Sequence, residues 1–156
     1  MTLKDLAKKY SALEAVDKSD FQRSARILQS MWRVDHGYEI GELKTKNGSR
    51  PLGSRLAMPW AQETRANYLS DTIKCVVGDE VMDPVKSKGK LYGKPRIFND
   101  LLSSQPLCFN LFAELQRDLP LATDVVKNLT NGLVGSVTDI DFEWSPGRGD
   151  PPSDRR

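Results

Sequence analysis

No stretch constrains the fold as tightly as residues 136–144 (SVTDIDFEW), whose second half alternates charged and apolar side chains residue by residue. A period of two is the signature of a β-strand. It puts Asp139, Asp141 and Glu143 on one face and Ile140, Phe142 and Trp144 on the other. Residues 145–150 (SPGRGD) then read as a tight turn, which should deliver the chain to a partner strand. The turn runs instead into Pro151-Pro-Ser-Asp-Arg-Arg156, where the sequence ends. Even a two-stranded hairpin is marginal in water. The expectation is therefore that the strand pairs with something upstream, or that the sequence is the front of a longer protein.

Upstream the pattern is helical. Leu3, Leu6, Tyr10 and Leu13 recur at helix spacing. Asp20 is expected to cap a second helix carrying an apolar stripe of Phe21, Ala25, Leu28 and Trp32, with Gly37 as its stop. Residues 37–59 hold Gly37, Gly41, Gly48, Gly53, Pro51 and Pro59, and predict a long irregular connection of the kind that is often functional. Residues 60–82 return to helical spacing until Asp83-Pro84 breaks it. Residues 86–96 (KSKGKLYGKPR) form a basic loop. A short helix over 97–102, a denser apolar one over 107–118 between Pro106 and Pro120, and a last one over 121–130 complete the helical part. The pattern reads as a helical N-terminal region, residues 1–105, running into the start of an α+β or α/β core, residues 106–151, with a tail over 152–156.

Composition excludes several classes. At 156 residues, 38% hydrophobic and 28% charged, the chain suits a globular domain with a real core. A net charge of +2 is too mild to announce a nucleic-acid or membrane partner by itself. Cys75 and Cys108 stand far apart with no Cys-x-x-Cys, and His36 is the one histidine, so zinc sites and histidine triads are poorly supplied. The N-terminus has no signal-peptide pattern, and no apolar run nears the roughly 20 residues of a membrane span. A cytoplasmic protein is expected.

Three constellations have chemical potential. The row Asp139, Asp141 and Glu143 offers hard oxygen ligands for Mg²⁺, or is the polar face of a half-buried strand. Glu114, set among apolar residues, reads as a metal ligand or general base, or as part of a solvated face with Arg117 and Asp118. Lys86, Lys88, Lys90, Lys94 and Arg96 with Tyr92 interleaved suit phosphate contact and base stacking, or are the lysines that collect on any mobile loop.

Specific wording carries a family resemblance. Residues 26–33 (RILQSMWR), 50–56 (RPLGSRL) with 58–61 (MPWA), 90–98 (KLYGKPRIF) running into 101–112 (LLSSQPLCFNLF), and 142–151 (FEWSPGRGDP) together resemble bacterial proteins of the PD-(D/E)XK nuclease-like superfamily, in a restriction-endonuclease-like group. The resemblance implies a mixed sheet flanked by helices. In that fold a helix glutamate, a strand aspartate and a Glu-x-Lys surround Mg²⁺, which activates water for phosphodiester hydrolysis. Glu114 matches the helix glutamate, so it is the implied catalytic residue and metal ligand, and residues 136–144 look like the first core strand. The aspartate and the Glu-x-Lys are expected after Asp150 and are absent there. The implied partner is nucleic acid, DNA above all, contacted through Lys88, Lys90, Lys94, Arg96 and Arg148. A missing C-terminal core segment, or a second copy of the chain, would complete the fold. The leading expectation is thus a truncated nuclease-like protein, inactive alone, whose parent is a Mg²⁺-dependent enzyme. Two rivals are a non-enzymatic nucleic-acid- or protein-binding module, and a standalone metal-dependent phosphodiesterase using Asp139, Asp141, Glu143 and Glu114.

Overall fold

The computed structural model describes residues 1–46 and 48–143. They group into two compact units, residues 1–67 with 94–106 and residues 68–93 with 107 onward.

In the first unit, Thr2 opens α1 (Leu3–Lys9) with a capping box closed by Asp5. Hydrogen bonds from the Thr2 backbone and hydroxyl hold the Asp5 carboxyl below its usual range. α2 (Asp20–Asp35) is capped not by Asp20 but by Ser19, whose hydroxyl accepts from the Gln22 N–H while Gln22 reaches back to the Ser19 N–H. Gly37, at φ +68°, takes the left-handed turn after the helix, as the sequence predicts.

The expected apolar stripe of α2 is not its buried face. Phe21 and Leu28 are 81% and 63% exposed, while Arg26, Ile27, Ser30 and Arg33 are buried. The reason is local satisfaction of two arginines. Arg26 forks onto Asp17 at 2.6 and 2.9 Å and donates to Ser54 Oγ at 2.8 Å. Arg33 donates to the carbonyls of Gly53 at 2.9 Å and Tyr38 at 2.6 Å. A guanidinium held by several hydrogen bonds can be buried where a bare one cannot.

The expected irregular connection over 37–59 is in large part a hairpin. β1 (Ile40–Thr45) pairs antiparallel with β2 (Gly48–Leu56), in a register joining Glu42 to Pro51, Leu43 to Arg50 and Thr45 to Gly48. The glycines that suggested a loop serve the hairpin. Gly48 sits at φ +125° in its turn, and a Cβ on Gly41 would lie 2.1 Å from the Leu56 carbonyl oxygen. α3 (Trp60–Thr64) and α5 (Arg96–Asn99) complete this unit, and Arg55 of β2 pairs with Asp100 at 3.2 Å.

In the second unit, the helix expected over 60–82 is split. α3 has ended at Arg65, with φ +51°, and the helix restarts as α4 (Asp71–Val77) behind a Ser70 cap. α4 runs directly into a π-helical turn, Gly78–Met82. Next come α6 (Ser104–Arg117), which belongs to this unit from Leu107 on, and α7 (Leu119–Leu129), capped by Asp118. Val76, Val77, Val81, Phe109, Ala113 and Phe142 are buried.

The strand predicted over 136–144 is not formed: residues 133–143 carry neither helix nor ladder. Trp144, the turn at 145–150 and the tail lie outside the described residues. Instead of a partner strand, helical side chains take the backbone groups. Val137 N donates to Thr123 Oγ1 at 2.9 Å, and the Ile140 carbonyl accepts from Gln116 Nε2 at 2.8 Å. Phe142 stacks on Phe109 with ring centroids 4.1 Å apart. The burial alternation still shows locally, with Phe142 buried between the less buried Asp141 and Glu143. Helices plus one two-stranded antiparallel sheet make this an α+β chain. No helix among the described residues is long and apolar enough to cross a membrane.

Candidate functional site

A polar cluster of the second unit gathers on Lys90 and Glu80. The inner partner of Lys90 comes from the π-helical turn. Widening the helix there by one residue per turn turns Glu80 inward, where it is 7% exposed. Lys90 arrives from the loop behind Pro84. The Asp83 carboxylate starts that loop by accepting from the N–H groups of Val85 at 2.7 Å and Lys86 at 3.2 Å. Asp141 arrives from the irregular 133–143 segment.

The Lys90 ammonium donates to Glu80 Oε2 at 2.9 Å and to Asp141 Oδ1 at 2.5 Å. Lys86 lies 3.8 Å from Glu80 Oε1, and Gln116 Nε2 reaches the same oxygen at 3.4 Å. Burial pushes the Lys90 ammonium toward neutrality, but its bonds to Asp141 and Glu80 more than offset this and leave its pKa raised. Beside it the Tyr92 hydroxyl is buried without a hydrogen-bond partner, and burial pushes it up to about 12. Two lysines thus face two carboxylates and a neutral phenol. Such a cluster holds an ammonium charged and fixed in place, and it leaves one donor, the phenol, unspent.

The sequence-predicted residues are scattered. Glu114 is exposed on α6 and accepts from Ser70 Oγ at 2.6 Å, apart from the Lys90 cluster. Lys88, Lys94 and Arg96 are exposed, while Lys90 is half-buried. Lys88 and Lys90 belong to the second unit, Lys94 and Arg96 to the first. Arg148 lies outside the described residues. Of the acidic row, Asp141 joins Lys90, and Asp139 bonds the Ile140 N–H at 2.8 Å. Glu143 lies close enough to Cys108 that its charge, after burial, helps push that thiol up.

Two features were missed from the sequence. Glu80 had a readable signal, a carboxylate between Val77 and Val81 just after a helix-weakening glycine. Glu42-Leu43-Lys44 is the sequence's one Glu-x-Lys. It falls ahead of Glu114 rather than after it, and it sits on β1 with Glu42 bonded to the Ser49 hydroxyl.

Magnesium asks for several convergent oxygen ligands. Among the described residues, no three His, Cys, Asp or Glu side chains gather to hold a metal ion. Glu80 and Asp141 spend oxygens on Lys90. These residues do not fit a resident Mg²⁺.

A family model described as the PD-(D/E)XK nuclease superfamily matches residues 15–155, nearly the whole chain. The chain belongs to that superfamily. No curated protein and no solved structure matches it.

Proposed function

We propose that this chain serves the hydrolysis of phosphodiester bonds in DNA as a strand-holding part of a cytoplasmic, Mg²⁺-dependent nuclease, and that alone it binds without cutting. Membership of the superfamily supports the substrate class. One observation carries the rest. A lysine-bearing loop is anchored through Lys90 and leaves Lys88 exposed, while among the described residues no three carboxylates, histidines or cysteines gather to hold a metal ion. Glu114 keeps its proposed role as the helix glutamate of the superfamily, its carboxylate near Ser70. The remaining ligands would come from a further core segment or from a second copy of the chain. Lys94, Arg96 and Arg148 are the further proposed phosphate contacts.

The test uses the purified 156-residue chain with labelled duplex DNA, with and without Mg²⁺. The expected result is salt-sensitive binding, weakened in Lys88→Ala, with no cleavage. Mg²⁺-dependent cleavage that vanishes in Glu114→Ala would overturn the proposal of inactivity.

A further inference from the structure

The bonds on Lys90 are unequal in kind. Glu80, the inner acid, has a side chain 9% exposed; Asp141, the outer one, is 41% exposed, and Lys90 itself is 16% exposed. Asp141 covers the ammonium from the solvent side. The segment that carries it has no regular secondary structure. Besides Lys90, its fastenings include Gln116, Thr123, Thr130 and the Phe109–Phe142 stack.

We propose that Lys90 is a phosphate-binding site which the chain itself fills with the Asp141 carboxylate, so that residues 133–143 form a strap that nucleic acid displaces. This rests on the nucleic-acid function proposed for the chain and adds a mode of regulation to it. A carboxylate oxygen 2.5 Å from an ammonium occupies the place a phosphate oxygen takes in a charge-assisted bond. With the strap down, Lys86 and Lys90 cancel Glu80 and Asp141. With Asp141 lifted, one net positive charge remains, and the phosphate answers it. Glu80 stays behind as the inner partner that aims the ammonium outward. The Tyr92 hydroxyl, buried beside Lys90 with no acceptor, gains one when a phosphate oxygen enters. Exchange of Asp141 for phosphate is a substitution of one anion for another and breaks no covalent bond.

Cys108 supplies a readout that needs no nucleic acid. Cys108 is exposed, yet partial desolvation and the Glu143 charge suppress its thiolate, and Glu143 belongs to the strap. Lifting the strap speeds alkylation of Cys108 relative to Cys75, the internal reference. The experiment pairs iodoacetamide labelling, read by mass spectrometry, with anisotropy titration of a labelled single-stranded DNA oligonucleotide. The variants are Asp141→Asn and, as a control on the same strap without a lysine contact, Asp139→Asn. Circular dichroism checks that each is folded.

The expected result is faster Cys108 alkylation in Asp141→Asn but not in Asp139→Asn, and faster alkylation of the wild type when the oligonucleotide is added. Asp141→Asn should also bind the oligonucleotide several-fold tighter, because no carboxylate of the chain then competes for Lys90. Unchanged Cys108 reactivity in Asp141→Asn, or binding no tighter than wild type, overturns the strap. Inorganic phosphate at matched phosphate concentration should leave Cys108 unchanged; acceleration by it alone overturns the assignment to nucleic acid. If Asp141→Asn frees Cys108 but no variant binds DNA, the strap is a structural latch, and the nucleic-acid function fails instead.

Discussion

At the scale of single residues, charge was the least legible property of the sequence. The apolar count of α2 pointed to Phe21 and Leu28, yet the buried side holds Arg26 and Arg33, whose partners lie at Asp17, Tyr38, Gly53 and Ser54. Partners so far along the chain cannot be inferred from helical spacing. Arg26→Ala should cost about 3–5 kcal/mol in urea unfolding, because it strands the Asp17 carboxylate, 6% exposed, without its counter-charge. Gly53→Ala should be comparably damaging, since the added Cβ would sit 2.0 Å from the Tyr10 carbonyl oxygen and 2.5 Å from Ser30 Oγ. Tyr92 offers a pH test. Its phenol is raised from 10.0 to about 12, so it favours the folded state below pH 10 and loses that contribution as pH climbs from 10 to about 12. A difference titration of phenolate absorbance, wild type minus Tyr92→Phe, should show a midpoint about two units above a free tyrosine. A midpoint at 10 would mean that Tyr92 is solvated.

At the scale of elements, helix stops were readable, while one cap and the strand pairing were not. The helices over 20–35 and 119–129 stop near Gly37 and Asn131-Gly132, local signals, but Ser19 rather than the expected Asp20 caps the first, and Asp118, expected to end the preceding helix, caps the second. The hairpin at 40–56 was hidden because Gly41, Gly53 and Pro51 are loop residues by propensity, and only the close approach of Leu56 to Gly41 and of Tyr10 to Gly53 explains the two glycines. The reverse error fell on 136–144, where alternation described the burial and not the hydrogen bonding. A strand needs a partner, and helices α6 and α7 offered side chains instead. Ser19→Ala should lower stability by about 1 kcal/mol, measured by thermal melting, as loss of an N-cap does. Phe142→Ala should cost about 3–5 kcal/mol and raise hydrogen exchange across 136–143, because the ring is 1% exposed and stacked on Phe109. Unchanged exchange there would show that the segment does not depend on that ring.

At the scale of the whole molecule, the family was legible from its wording, and the match over 15–155 bears that out. The α+β class was legible too, although its sheet lies in a different part of the chain from the one expected. The Lys90 cluster was only half legible: Lys90 and Asp141 were both singled out, for separate reasons, and nothing in the sequence joined them. The π-helical turn at Gly78–Met82 explains why. An α-helix advances about 100° per residue, and a π-turn spends one extra residue without that gain. The direction in which Glu80 points therefore depends on how many residues precede it, not only on which ones they are. Removing one residue from this turn would swing the carboxylate off Lys90 while leaving every participating side chain in the sequence. Chain length at this turn, as well as residue identity, therefore decides whether Glu80 of this chain meets Lys90.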